Sequence, residues 1–147
     1  MMLKNIPAFI DADLLWVLAS MGHGDELAIV DRNFSASRTA LKTHLKKLII
    51  LNGVDATATI EGILKLMPLD SFVDQPLSHM EDPEQAGKLL EVHAMVQAVC
   101  SRAEGRELES KPIERFAYYP VAENCIAIVQ TSETRPYGNF ILKKGVV

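Results

Sequence analysis

Residues 21–31 read Met-Gly-His-Gly-Asp-Glu-Leu-Ala-Ile-Val-Asp and predict a tight turn followed by a buried strand. The run Leu27–Val30 is continuously apolar, which is typical of a strand that is covered on both faces. The turn places His23 between two glycines, and Asp31 follows the strand at its far end. Flanking glycines let the backbone turn closely around a ligand, and an imidazole with a pKa of about 6.5 exchanges protons readily near neutral pH. His23 is therefore the first candidate for a functional residue.

A helix is predicted immediately before this turn. Its apolar residues recur at helical spacing, and Asp11 or Asp13 can cap its first turn. Gly22 is expected to end the helix in the left-handed conformation that commonly follows a last helical turn. The apolar positions of this helix are Leu14, Leu15, Val17, Leu18 and Met21.

Further along the chain, apolar runs alternate with helical patterns. Strands are predicted at 48–51, 125–129 and 139–142, with a short one within 74–80. Helices are predicted from Asp55 or Thr57 to Met67, from Asp82-Pro83 to about Arg102, and over 113–123, whereas 37–45 is ambiguous. The second of these helices is expected to bury Leu89, Leu90, Val92, Met95, Val96 and Val99. The alternation predicts one layered α/β domain over residues 1–147, with a mostly parallel, mixed sheet flanked by helices.

The charge, hydropathy and cysteine content of the chain limit the partners and compartments that are expected. The 147 residues include 15 basic and 19 acidic side chains, for a net charge of −4, so no general affinity for nucleic acid is expected. The basic stretch 42–47 is interpreted as a solvated helix face. Neither a signal peptide nor the ~20 apolar residues of a membrane span is apparent. The two cysteines, Cys100 and Cys125, are expected to be reduced and buried, as in a cytoplasmic protein.

A second polar constellation lies between the last two predicted strands, at 131–139. Tyr137 can donate and accept a hydrogen bond, and Asn139 offers an acceptor and two donors, so together they suit the hydroxyls of a sugar. The alternative is a simple turn, shaped by Pro136 and Gly138, in which Asn139 bonds locally. Similarly, Arg115 could direct its guanidinium at a ligand oxygen or pair on the surface with Glu114 or Glu123.

The other polar residues have plainer interpretations. His23 could be a structural histidine bonded to a loop carbonyl, and Asp31 could be a helix cap or turn former. His44, His79 and His93 have no partners at the spacing of metal ligands, so no metal site is predicted.

Taken together, four segments resemble the family of D-ribose pyranases and L-fucose mutarotases, and the resemblance covers nearly the whole chain. Its Gly-His-Gly-Asp-Glu form and its Arg-Phe-Ala segment are closer to the fucose mutarotase branch. The chain departs from the family pattern after Asp31, where Ser35 stands in place of the usual proline. The matching segments are Gly22-His23-Gly24-Asp25-Glu26 with Asp31, Pro68-Leu69-Asp70-Ser71-Phe72, Arg115-Phe116-Ala117-Tyr118-Tyr119, and Tyr137-Gly138-Asn139 running into Ile141–Val146.

The resemblance implies an isomerase that interconverts the α and β anomers of L-fucose or a related sugar. It implies that His23 is the catalytic acid/base, and that Asp31, Arg115, Tyr137 and Asn139 hold the sugar beside the Gly138 backbone. Members of this family are α/β proteins that often assemble into decameric rings, so a homo-oligomer is expected, with neither metal nor organic cofactor.

Ring opening requires one proton to leave the anomeric hydroxyl and another to reach the ring oxygen. A histidine suits one of these transfers, and Tyr137 or a water molecule could serve the other. Asp31 could orient His23 or bind sugar hydroxyls. Two other functions remain open on the residues alone, namely pyranose–furanose interconversion of ribose and sugar binding without turnover in association with transport.

Overall fold

The computed structural model describes residues 2–147, and a six-stranded mixed sheet forms its centre. The strands are β1 (Glu26–Val30), β2 (Leu48–Ile50), β3 (Leu77–Met80), β4 (Lys111–Ile113), β5 (Ile128–Gln130) and β6 (Phe140–Lys143). The helices are α1 (Ala12–Ser20), α2 (Ala36–Ala40), α3 (Ala56–Ile63), α4 (Glu91–Glu104) and α5 (Arg115–Glu123). This architecture confirms the predicted α/β class.

The strand order is β2-β5-β1-β6-β3-β4. Strand β6 runs antiparallel to both of its neighbours, β1 and β3, and the other three pairs are parallel. The sheet is therefore mixed, as predicted, and β6 joins two parallel groups of strands. None of the helices within residues 2–147 is long and apolar enough to cross a membrane.

Helices cover both faces of the sheet because the side chains of β1 alternate between two cores. Leu27 and Ile29 pack in a core with α1, α3 and α4, whereas Ala28 and Val30 pack in a second core with α2 and α5. All four residues are completely buried. A continuous apolar run is what a strand covered on both sides requires.

The strand directions define two opposite edges of the sheet. At one, which we call the carboxyl edge, β1, β3, β4 and β5 end and β6 begins. At the other, the amino edge, β1 and β3 begin and β6 ends. The register pairs Glu26 with Lys143 and Ile29 with Phe140, so the segments flanking β6 lie at opposite edges.

The first helix begins as predicted but ends differently. The Asp11 carboxylate accepts a hydrogen bond from the Leu14 amide at 2.9 Å and caps α1. The helix ends at Ser20, Met21 follows in an extended conformation, and the left-handed residue of the turn is Gly24, with φ +85°. The prediction that Gly22 is the left-handed cap was wrong, because the chain leaves the helix directly into an extended segment.

The predicted helix from Asp82 to Arg102 was wrong at its start. Asp82 caps only one 3-10 turn, Pro83–Gln85, and α4 begins at Glu91, after the left-handed Gly87. Leu89 and Met95, which were expected in the core, are 46% and 39% exposed.

Strand β4 was not predicted at all. It has three residues, includes Pro112 and lies at the end of the sheet, where a proline need not donate to a neighbouring strand. Its last residue, Ile113, was assigned to the following helix, which begins at Arg115.

Three further differences concern loops and element ends. The ambiguous stretch contains the short α2, and the basic residues 42–47 lie in turns rather than on a helix. Lys42 and Lys47 pair there with Glu123 and Asp13. Helix α3 ends at Ile63, before the predicted Met67, and β5 begins at Ile128, after the predicted 125.

Candidate active site

Asp31 and Asn139 are bound to each other at the carboxyl edge. Asp31 follows β1 and Asn139 precedes β6, and the antiparallel register brings the two residues together. The Asn139 Oδ1 accepts a hydrogen bond from the Asp31 amide at 2.8 Å, and its Nδ2 donates to Asp31 Oδ2 at 3.3 Å. Both side chains are buried, so each orients the other before any ligand binds.

A cavity of about 220 Å³ opens beside this pair. Its walls combine charged, amide and aromatic groups, and its volume is below the roughly 300–1,000 Å³ of sites for drug-sized ligands. It therefore fits a small polar molecule. The lining residues are Asp31, Asn33, Phe34, Met80, Arg115, Tyr119, Pro136, Tyr137 and Asn139. We refer to it as the Asp31 cavity.

The pKa of Asp31 reflects the burial of its carboxyl in the wall of the cavity. Burial raises the pKa of its carboxyl above the ordinary value of 3.8, and hydrogen bonds from the Asn33 and Phe34 amides and from Asn139 oppose that rise. The Asn33 amide donates to Asp31 Oδ1 at 3.0 Å. A partly desolvated carboxylate of this kind is a strong acceptor for ligand hydroxyls.

Arg115 reaches the cavity because β4 ends just before it. Neither of its alternative surface partners engages it, since Glu114 caps α5 through the Phe116 and Ala117 amides and Glu123 pairs with Lys42. Within residues 2–147, Arg115 forms no ion pair, and its guanidinium lies 5.4 Å from the Phe116 ring. Its planar set of donors is thus available to a ligand.

The Tyr137–Gly138 turn places Tyr137 in the wall of the cavity, and Glu133 packs against Gly138. Tyr137 has φ +61°, a left-handed conformation that residues other than glycine seldom adopt. A Cβ atom at Gly138 would lie 2.7 Å from Glu133 Cγ, so only glycine fits there. The Glu133 carboxylate accepts hydrogen bonds from the Thr134 amide, the Arg135 amide and the Arg135 guanidinium.

Substitution Glu133→Gln is expected to lower the free energy of unfolding at pH 7 by about 1–3 kcal/mol, because the buried NH2 group of glutamine would face N–H donors where a carboxylate oxygen accepts their hydrogen bonds. Burial opposes ionisation of Glu133, but the hydrogen bonds and charge of Arg135 outweigh it and lower the pKa below the ordinary 4.5. A carboxyl with a lowered pKa stabilises the fold above its unfolded-state pKa and loses that effect as pH falls through its folded-state pKa.

The difference between wild type and Glu133→Gln should therefore shrink below about pH 4.5. Urea denaturation at several pH values measures it. The exposed Glu61 on α3 provides the matched control, Glu61→Gln. Equal stability of wild type and Glu133→Gln at pH 7 would show that Glu133 does not support the turn.

His23 lies at the amino edge, against Asp70. The His23 Nε2 and Asp70 Oδ1 are 3.0 Å apart. A hydrogen bond from the Phe72 amide, together with the contact with His23, lowers the Asp70 pKa, so the carboxylate accepts and Nε2–H donates. The His23 side chain is 45% exposed, and the ring of Phe72, which is 73% exposed, lies 5.0 Å from it.

The His23–Asp70 pair is separated from the Asp31 cavity by the length of β1. Four residue steps, roughly 13 Å of strand, lie between Glu26 and Val30, and His23 precedes the strand whereas Asp31 follows it. The hypothesis that Asp31 orients His23 is therefore wrong within one chain. Asp70 occupies that role.

The sequence interpretation missed Asp70 and Glu133 as site residues. Asp70 was within a matching segment, but it lies 47 residues from His23 in sequence, and no local pattern links them. Asp70 accepts a hydrogen bond from the amide of Phe72, two residues later in the sequence. Such a bond is typical of a rigid turn. Glu133 was counted only as part of a polar loop.

The fold and the Asp31 cavity define a small α/β protein with a small polar cavity at the carboxyl ends of its strands. The RbsD / FucU transport protein family model matches residues 4–147, and the chain belongs to that family.

Named relatives agree with this family assignment over nearly the whole chain. The fucose mutarotase of Bos taurus is 40% identical, over 99% of this chain and 94% of that protein. The FucU structure from Bifidobacterium longum is 32% identical with a TM-score of 0.89, covering 98% and 99% of the two chains. The structure of the fucose mutarotase from Streptococcus pneumoniae in complex with L-fucose is 35% identical with a TM-score of 0.85, covering 99% of both.

Proposed function

We propose that this chain is an isomerase that interconverts the α and β anomers of L-fucose or a closely related monosaccharide. The Asp31 cavity carries the proposal, since it gathers Asp31, Arg115, Tyr137 and Asn139 around a space for a small polyhydroxylated molecule. Relatives at 40% and 35% identity that are named fucose mutarotases support the reaction class.

Each polar residue of the cavity is assigned a different contact with the sugar. The Asp31 carboxylate accepts hydrogen bonds from hydroxyls, and Arg115 donates to hydroxyl or ring oxygens. Asn139 and Tyr137 fill the remaining positions, whereas Gly138 does not line the cavity and instead lets the turn pack closely against Glu133. Phe34 and Met80 supply apolar contacts for the C–H faces of the sugar.

Proton transfer is assigned to His23. Its Nε2–H is committed to Asp70, which leaves Nδ1 to take a proton from the anomeric hydroxyl or to return one. The ionised Asp70 stabilises the imidazolium that forms and fixes the ring orientation. As the bond between the anomeric carbon and the ring oxygen breaks, Tyr137 or a water molecule gives a proton to the ring oxygen. Ring closure on the other face of the aldehyde reverses both transfers and completes the change of anomer.

The complete site requires a second copy of the chain. His23 and the Asp31 cavity lie at opposite edges of the sheet, and each carries an exposed aromatic residue. Phe72 accompanies His23, and Phe116, which is 70% exposed, accompanies Arg115. Contact between the amino edge of one copy and the carboxyl edge of the next would bury both rings and bring His23 to the sugar.

Such a contact joins two different surfaces, and repeated contacts of this kind close into rings when the rotation permits. We therefore propose a homo-oligomer with shared active sites. A decameric ring, which the family resemblance implies, would contain this contact.

A cytoplasmic location is proposed from the cysteines. Cys100 and Cys125 are free and buried, which supports this location. Burial raises the pKa of Cys100 to about 12, so this thiol is not reactive. Unpaired, inert cysteines are typical of proteins from a reducing compartment.

Saturation-transfer NMR on equilibrated sugars tests the function. The protein should accelerate α/β exchange of L-fucose in proportion to its concentration, and more strongly than the pyranose–furanose exchange of D-ribose. Faster ribose exchange would assign the chain to the pyranase reaction. Binding of L-fucose without faster exchange would make it a sugar-binding protein, and acceleration of no sugar would overturn the enzyme assignment.

A further inference from the structure

We infer that His93 is a positioning residue of the sugar site, which holds the Tyr137 turn through its backbone carbonyl. The inference rests on the proposed function, because its importance depends on Tyr137 and Asn139 contacting the sugar. His93 lies in the first turn of α4, more than 40 residues from the turn in sequence, and it does not line the Asp31 cavity.

Both ring nitrogens of His93 are engaged. Its Nε2 lies 2.8 Å from the Tyr137 carbonyl oxygen, and its Nδ1 accepts a hydrogen bond from the Leu90 amide at 3.3 Å. An amide can only donate and a carbonyl can only accept, so the neutral tautomer with a proton on Nε2 satisfies both contacts. The bonds therefore fix the ring in one tautomer and one orientation.

The ring is also immobilised by its neighbours. His93 is completely buried, its centroid lies 4.1 Å from that of His79, and Phe140 packs edge-on at 5.8 Å. Burial lowers the pKa of His93, which is consistent with a neutral ring. Because Phe140 follows Asn139, the histidine touches the segment on both sides of that site residue.

The Tyr137 turn needs such a support because its backbone is in an unfavourable conformation. A left-handed tyrosine relaxes unless surrounding contacts hold it. Glu133 binds the start of the loop through the Thr134 and Arg135 amides, and His93 binds the carbonyl of Tyr137 itself. Loss of the His93 bond would let the peptide between Tyr137 and Gly138 rotate, which would displace the phenol and Asn139 from the sugar.

His79 provides a matched control in the same stack. It is buried like His93, but its Nδ1 bonds to Ser110 Oγ at 2.7 Å, and it lines a separate cavity of about 230 Å³ on the outer part of the sheet. Substitution of either histidine by phenylalanine keeps an aromatic ring in the stack. Only the change at His93 removes a donor to the Tyr137 turn.

The test compares His93→Phe, His93→Gln and His79→Phe with wild type. The Kd for L-fucose is measured by calorimetry, and the anomer exchange rate at saturating sugar by NMR. His93→Phe should raise the Kd by about tenfold or more and also slow exchange. His93→Gln, whose amide can donate from the position of Nε2, should recover most of the loss, and His79→Phe should bind L-fucose as wild type does.

Three results would overturn the inference. One is a folded His93→Phe protein with wild-type Kd and exchange rate, and another is a Gln variant as impaired as the Phe variant, which would indicate packing alone. The third uses wild type only, so it holds even if His93→Phe does not fold. Long-range ¹H–¹⁵N spectra of labelled histidine should show His93 protonated at Nε2, and protonation at Nδ1 would exclude the bond. If the wild-type protein does not accelerate the anomer exchange of any sugar, the proposed function fails. The spectrum still shows whether the hydrogen bond from His93 to the Tyr137 carbonyl exists.

Discussion

Replacement of His23 by phenylalanine is expected to slow L-fucose anomer exchange at saturating sugar by roughly 10²–10⁴-fold, the usual contribution of a positioned acid or base. The half-exposed ring is replaced by one of similar shape, so folding should not change. The sugar contacts of the Asp31 cavity remain, and the Kd should change much less than the rate. An effect on rate with little effect on Kd identifies an interaction made during the reaction.

The control is the same substitution at His44, an exposed histidine outside both halves of the site. His44→Phe should exchange L-fucose at the wild-type rate. Asp70→Asn should lie between His44→Phe and His23→Phe, since it removes the charge that stabilises the imidazolium but keeps the turn. Wild-type exchange by a folded His23→Phe protein would remove His23 from the mechanism and leave the reaction class untouched.

Mixing two inactive variants should restore activity, which is the second large effect. His23→Phe lacks the acid/base group and Asp31→Ala lacks a ligand for the sugar. If each site combines His23 of one copy with the cavity of another, random co-assembly makes about a quarter of the sites intact. Co-expression of the two variants with different affinity tags, followed by tandem purification, isolates the mixed assemblies, and native mass spectrometry gives their size.

A second mixture distinguishes shared sites from sites within one chain. The double variant His23→Phe/Asp31→Ala is co-assembled with wild-type chains in equal amounts. Shared sites give about a quarter of wild-type activity in both mixtures, whereas sites within one chain give none in the first and about half in the second. The latter pattern would contradict the proposed interface and require a rearrangement within each chain.

The sequence predicted the parts of the fold that depend on local pattern. Continuous apolar runs identified β1 and β2, and the Asp11 and Asp55 caps marked the starts of α1 and α3. Strand β4 was missed because three residues that include a proline carry no periodicity. The start of α4 was misplaced because a good cap at Asp82 was followed by a loop rather than a helix.

The candidate site could be predicted where a recognisable local motif contained each residue. The resemblance named Asp31, Arg115, Tyr137 and Asn139, and the structure places all four around one cavity. Their supports could not be found in this way, because His93 reaches Tyr137 across 44 residues and Asp70 reaches His23 across 47. Whether His23 meets the cavity also depends on assembly, which no local pattern records.

The central position of β6 has a consequence for how the sheet assembles during folding. Residues before Phe140 contain two groups of parallel strands that have no pairing with each other, since β6 alone joins β1 to β3. Asn139 and Lys144, at either end of this strand, also bind Asp31 and the Gly24 amide at the two edges of the sheet. Insertion of β6 is therefore the step that joins the two groups into one sheet, and it orders both edges, with the two halves of the proposed active site, at the same time.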